Sequence, residues 1–243
     1  MNSFVAALQF LTLFPWPKRA ERSVNEMGPS AIFFPLIGFI LGLILVLVDF
    51  LLAPLASSGL SSVALVAILA LLTRGLHLDG LADTFDGLGA GGDRERMLQI
   101  MDDSHTGAFG MIAVVLLLFF KIHAMESIDH DRWRALLTAP VLGRWAMVVL
   151  GYGSSAAKPG LGSALIDHLE TRHFLFATFI TLLLVAAILR GAGIAMMLGV
   201  YLFAMGSRSF FHRRLGGVTG DTFGAVGELS ETSVLVLLAL VTR

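Results

Sequence analysis

Long runs of residues with scarcely a charge dominate this chain, and they limit its possible folds more than any other feature. Spanning the ~30 Å hydrocarbon core of a bilayer takes about 20 mostly apolar residues in an α-helix. Seven stretches approach that pattern: residues 31–52, 61–72 (continuing toward 76), 109–125, 136–150, 174–189, 194–205 and 223–241. Lys121 and His123 interrupt the third, Arg144 sits in the fourth, and Glu228 and Glu231 sit in the first half of the seventh. The chain is 56% hydrophobic and only 14% charged, against about 25% charged in an ordinary soluble domain. One core in a chain of 243 residues cannot absorb that excess. The expectation is an all-α, polytopic integral membrane helix bundle, a single domain over residues 1–243, with about seven transmembrane helices and the lipid bilayer as its surroundings.

The flanks refine this picture. Phe4, Leu8 and Leu11 recur at helical spacing, with Phe10, Phe14 and Trp16 beside them. This predicts a short N-terminal interfacial helix, or equally one packed on the bundle. No basic residue precedes that stretch, so it does not read as a signal peptide. Eleven Lys and Arg residues fall in one set of connections: Lys18, Arg19, Arg22, Arg74, Arg94, Arg96, Lys158, Arg172, Arg208, Arg213 and Arg214. The alternate set holds four: Arg132, Arg134, Arg190 and Arg243. Positive residues favour the cytoplasmic side, so the N-terminus and the connection around residues 79–103 are expected there. A net charge of −1 argues against a nucleic-acid partner, since no basic excess exists to neutralise phosphates. The absence of cysteine excludes disulfides, thiolate metal sites and cysteine catalysis.

Seven of the eighteen acidic residues fall between positions 79 and 103. Asp79, Asp83 and Asp86 stand at i, i+4 and i+7, so a helix would project all three from one face. Carboxylates that close repel one another and call for a cation. A hard divalent ion such as Mg²⁺ or Mn²⁺ suits them, because it takes carboxylates together with substrate phosphate oxygens. Asp102 and Asp103 could complete a metal site from across the connection. Arg74, Arg94 and Arg96 are candidate phosphate contacts, with His77 and His105 beside them. Asp93 and Glu95 instead suit an exposed helix start with local ion pairs. The set fits phosphoryl transfer, in which metal, cations and positioning do most of the work.

A second polar group lies near the end of the chain. Asp221 and Glu228 are seven apart and share a helix face, and Lys158 opens a Lys-Pro-Gly-Leu-Gly turn. Acids at membrane depth are functional candidates, so Lys158, Asp221 and Glu228 are expected to line a substrate pocket. The competing reading is a structural network pairing these acids with Lys121, Arg144 or Arg208.

The stretch Leu76-His-Leu-Asp-Gly-Leu-Ala-Asp-Thr-Phe-Asp-Gly-Leu is followed by Asp93-Arg-Glu-Arg and Ile100-Met-Asp-Asp-Ser-His-Thr-Gly-Ala-Phe-Gly. Together they resemble the cobalamin synthase family, whose formal name is adenosylcobinamide-GDP ribazoletransferase. Gln9-Phe-Leu-Thr, Phe34-Pro-Leu-Ile-Gly, Gly143-Arg-Trp-Ala-Met and Gly216-Gly-Val-Thr-Gly-Asp-Thr-Phe-Gly-Ala extend the resemblance over nearly the whole chain in order. His105 and Thr106 depart from it, standing where a basic and a small or apolar residue are expected.

The resemblance implies a Mg²⁺-dependent enzyme of the bacterial inner membrane. It would join adenosylcobinamide-GDP to α-ribazole or α-ribazole 5′-phosphate and release GMP, a late step of vitamin B12 assembly. Asp79, Asp83 and Asp86, helped by Asp102 or Asp103, would then hold Mg²⁺, and one of these carboxylates or His77 would take the proton of the attacking hydroxyl. Asp83-x-x-Asp86-Gly-x-x-Ala90 also has a partial similarity to CDP-alcohol phosphotransferases, but Gly91 replaces their arginine and the later aspartate spacing is absent. A cation transporter is a further alternative, but the acids gather at one membrane edge rather than along a path. A monomer and a homodimer both remain open.

Overall fold

The computed structural model describes residues 3–14, 27–128 and 131–241. Trp16, the basic cluster Lys18, Arg19 and Arg22, and Arg243 lie outside the described residues. The chain forms α1 (Ser3–Leu11), then α2 (Met27–Ser30), which continues through a 3-10 turn (Ala31–Phe33) into α3 (Phe34–Leu52). There follow α4 (Ser58–Leu72), α5 (Leu76–Ala90), α6 (Arg94–Met101), α7 (Ala108–Glu126) and α8 (Arg132–Gly151). The last four are α9 (Leu161–Asp167), α10 (Thr171–Leu189), α11 (Gly191–Leu215) and α12 (Gly220–Val241). No strand occurs among the described residues.

Six segments are long and apolar enough to cross a membrane: Met27–Leu52, α7, α8, α10, α11 and α12. The seventh candidate is broken, since α4 and α5 meet at 88°. Its cause is local. The amide of Arg74 donates to the carbonyl of Leu71 (2.9 Å) and that of Gly75 to Ala70 (2.8 Å). This pair of bonds ends a helix as a Schellman motif. Arg74 and Gly75 both adopt left-handed backbone, with φ of 59° and 65°, and the chain turns there.

Helix α8 is the central post, buried at every position from 135 to 151. Helix α3 lies so close to it that a Cβ on Gly38 would sit 2.4 Å from the Pro140 carbonyl oxygen, and one on Gly42 2.7 Å from that of Leu136. Small residues let membrane helices approach in this way. The outer helices turn bare apolar faces outward, including Ile112, Leu116 and Phe119 on α7, Phe176, Phe179 and Leu183 on α10, and Leu198 and Leu202 on α11. These are the surfaces that lipid would cover.

Charge is buried at the centre. Lys121 of α7 donates to Glu228 (2.5 Å) and Glu231 (2.6 Å) of α12, and Arg144 of α8 pairs with Glu231. All four side chains are buried. Two cations against two anions leave the group neutral, which lowers the cost of burying any of them. Glu228, expected to line a substrate pocket, is therefore a member of a structural network, because Lys121 faces it across the bundle. Arg208 is not part of that network. It donates to the carbonyls of Tyr152 (2.7 Å) and Gly153.

With the bent pair counted as one crossing, successive connections alternate between two ends of the bundle. Arg74, Arg94, Arg96, Lys158, Arg172, Arg208, Arg213 and Arg214 share one end with α5 and α6, and Arg132, Arg134 and Arg190 lie at the other. Helix α1 packs at the first end, burying Val5, Ala6, Ala7 and Leu11. Phe4 stands edge-on to Phe33, Phe10 stacks on Phe34, and the Leu13 amide donates to the Leu72 carbonyl (2.8 Å).

Candidate active site

Helix α5 carries the acids, and glycines decide where it lies. A Cβ on Gly80 would come within 2.8–2.9 Å of the Asp221 backbone, and one on Gly224 within 3.0 Å of the His77 backbone. Backbone thus meets backbone where α5 passes the start of α12. This brings Asp79 and Asp83 of α5 to Asp221. The half-buried Asp83 faces the like charges of Asp79, Asp221 and Asp86, with Lys158 as the opposing cation.

Lys158 reaches this group from the connection between α8 and α9. Its ammonium donates to Asp102 (2.5 Å) and lies 3.2 Å from Asp221. Partial burial opposes its charge, but the hydrogen bond it donates to Asp102 and the charge of Asp221 outweigh that and hold its pKa above the ordinary lysine value. The strap that carries it is pinned at several points. The Ala157 amide donates to Val218 and the Val218 amide to Ser155, both at 2.9 Å. Arg94 donates to the Ala157 carbonyl (2.9 Å), and Arg208 holds the start of the strap.

The expected metal set is divided. Asp86 is buried, and its two carboxylate oxygens accept from the amides of Gly107 (2.7 Å) and Gly110 (2.8 Å). It caps the N-terminus of α7 with its charge toward the positive end of the helix dipole. Asp103 is turned to its own loop, accepting from the backbone and ring of His105 (3.0 and 2.7 Å), and those hydrogen bonds lower its pKa. Asp102 is taken by Lys158. Among the described residues no three Asp, Glu or His side chains are gathered to hold a metal ion. The five acids Asp79, Asp83, Asp86, Asp102 and Asp103 are thus not one cage. What remains is the pair Asp79 and Asp83, with Asp221 opposite. That donor set still fits Mg²⁺, which usually takes one or two carboxylates and completes its shell with water and substrate phosphates.

The other expected residues also sort out. Arg94 is spent on the strap. Arg96 is exposed and, among the described residues, its side chain reaches only Gln99 (3.3 Å), on a helix capped by Asp93 as anticipated. His77 is buried with its Nε2 unpartnered among the described residues. It lines a small cavity with Lys158 and Asp221 and stands near the buried charges of Arg144, Glu231 and Lys121.

Two cavities meet at Asp79. The larger, of about 780 Å³, is a groove lined by α1, the α4–α5 break, α5 and α7, with Leu76, Met111 and Val115 exposed along its open side. The smaller, of about 240 Å³, lies toward Lys158, His77 and Asp221. Phe10 and Leu76 also line both. Sequence reasoning missed Gln9 and Phe10. The available signal was Gln9 itself, the one amide side chain inside an otherwise apolar helix.

A multi-pass helical bundle with a cluster of carboxylates, a lysine and two cavities at one end defines a class: an integral-membrane enzyme. The family model for cobalamin-5-phosphate synthase matches residues 3–239. The chain belongs to that family. It is 42% identical to an adenosylcobinamide-GDP ribazoletransferase of Geotalea daltonii, over 99% of this chain and 97% of that protein. Proteins of the same description from Syntrophobacter fumaroxidans and Pseudomonas entomophila are 40% and 41% identical, each covering 96% or more of both chains. No solved structure matches the chain.

Proposed function

We propose that this protein joins adenosylcobinamide-GDP to α-ribazole or its 5′-phosphate and releases GMP, at the cytoplasmic face of a bacterial inner membrane. The observation that carries the reading is family membership over the full chain, together with the carboxylate pair Asp79 and Asp83 where two cavities meet. The relatives' names support neither a CDP-alcohol phosphotransferase nor a transporter. The cation-rich end of the bundle supports the cytoplasmic orientation.

In the reaction a ribose hydroxyl oxygen bonds to the phosphorus next to the cobinamide, and the bond from that phosphorus to the oxygen of GMP breaks. The hydroxyl proton passes to a carboxylate of the pair Asp79 and Asp83. Asp79 and Asp83 would also hold Mg²⁺, which when bound supplies charge neutralisation on the diphosphate. Lys158, held by Asp102 and Asp221, orients the diphosphate-bearing substrate from the opposite wall.

The test is GMP release by the protein in detergent micelles, supplied with adenosylcobinamide-GDP, α-ribazole 5′-phosphate and Mg²⁺. The native chain should release GMP, EDTA should stop it, and Asp83→Asn should lower it by ~10³-fold or more while the protein stays folded. Normal release by Asp83→Asn would move the chemistry off this pair. No release by folded native protein with either ribazole would sink the assignment.

A further inference from the structure

The larger cavity has a specific chemical layout. At about 780 Å³ it falls within the ~300–1,000 Å³ that encloses a small organic ligand, whereas its neighbour, at about 240 Å³, does not. Its wall is apolar, built by Phe10, Leu78, Ala82, Met111 and Val114. At one end stands Asp79, and among its described lining residues Arg74 is the one cation.

Arg74 stands out on independent grounds. It holds the left-handed position of the Schellman turn, φ 59°, where glycine is the usual residue. A side chain there is strained, and such outliers mark functional positions. Among the described residues its guanidinium makes no ion pair or side-chain hydrogen bond that would offset the strain, and it is exposed at the cavity mouth.

Resting on the ribazoletransferase reading, we infer that this cavity is the ribazole site and that Arg74 binds the 5′-phosphate. An apolar benzimidazole, a ribose and a phosphate match an apolar wall, a carboxylate and an unpaired guanidinium. The base lies among Met111, Val114 and Leu78, the ribose hydroxyl faces Asp79, and the phosphate meets Arg74 by charge-assisted hydrogen bonds. The diphosphate-bearing substrate approaches Asp79 from the Lys158 side. Arg74 is then the residue that sets a preference for the phosphorylated acceptor.

The experiment compares kcat/KM for α-ribazole 5′-phosphate and for α-ribazole, each at saturating adenosylcobinamide-GDP, in native protein, Arg74→Asn and Arg74→Lys. Asparagine is chosen because it tolerates left-handed backbone. The native enzyme should favour the phosphorylated acceptor. Arg74→Asn should erase that preference, lowering kcat/KM for the phosphorylated acceptor about tenfold or more relative to the other, chiefly through KM. Arg74→Lys should restore part of it. In a second variant Val114→Trp, which fills the cavity, KM should rise for both acceptors more than for adenosylcobinamide-GDP. Equal losses for both acceptors in Arg74→Asn, or a loss confined to the KM of adenosylcobinamide-GDP, would overturn the assignment. Native protein inactive with both acceptors would instead count against the reaction itself.

Discussion

Asp86 shows how surroundings decide what a carboxylate does. It shares its helix face and its motif with Asp79 and Asp83, yet both of its oxygens are held by the first amides of α7. Its neighbours Asp79 and Asp83 have no such backbone partners among the described residues. Asp86→Ala should therefore act on stability, because it leaves the buried Gly110 amide and the half-buried Gly107 amide unpaired. We expect a loss of about 2–4 kcal/mol in thermal or denaturant unfolding in detergent. Asp86→Asn, which keeps one acceptor oxygen, should lose less. A variant Asp86→Ala as stable as native protein but inactive would return Asp86 to the chemistry. The i, i+4, i+7 spacing was legible in the chain. The amides that claim one of the three were not, because they come from residues 107 and 110, beyond α6.

At the scale of elements, helix α5 matters most, and its position depends on having no side chain at two contacts. Gly80 and Gly224 let α5 and α12 touch through backbone, and this sets Asp83 against Asp221 and Lys158. Gly80→Leu would push an isobutyl group into the Asp221 backbone. Overpacking of this kind costs about 1–3 kcal/mol, and it should also lower GMP release, because the acids and the strap move apart. Full activity with unchanged unfolding would show that the contact is not needed. That Asp79, Asp83 and Asp86 would share a face if the α5 segment were helical was readable from their spacing. Its 88° departure from α4 was hidden, since Arg74 and Gly75 do not announce a break within an apolar run. Likewise the sixth apolar run predicted a helix ending near residue 205, whereas α11 continues to Leu215. Its polar last turns stay helical, which hydropathy cannot register.

For the molecule as a whole, the buried group of Lys121, Arg144, Glu228 and Glu231 joins α7, α8 and α12 below the site. Removing one partner strands a charge. Lys121→Met should destabilise by about 3–5 kcal/mol, and Glu228→Gln added to it should recover part of the loss. The recovery is read from unfolding midpoints of the single and double variants. A null effect of Lys121→Met would place Lys121 outside the network.

The sequence by itself determined that this chain lies in a bilayer, that its membrane-crossing helices number about seven, and that acids and cations gather at one end. These follow from local quantities: run length, hydropathy, charge and helical period, each read from residues close together along the chain. Its family is legible in the motif as well. Only the tertiary structure decided which acids are free. It withdrew Asp86 to α7, Asp103 to its own loop, Asp102 to Lys158 and Glu228 to the core, and it brought Gln9 and Phe10 to a cavity beside Asp79. The physical reason is that a carboxylate's role is set by the donors within hydrogen-bonding distance. In this bundle most of those donors come from residues distant in sequence, and only the packing of α5 on α7, of α7 on α12 and of the α8–α9 strap over the site brings them near.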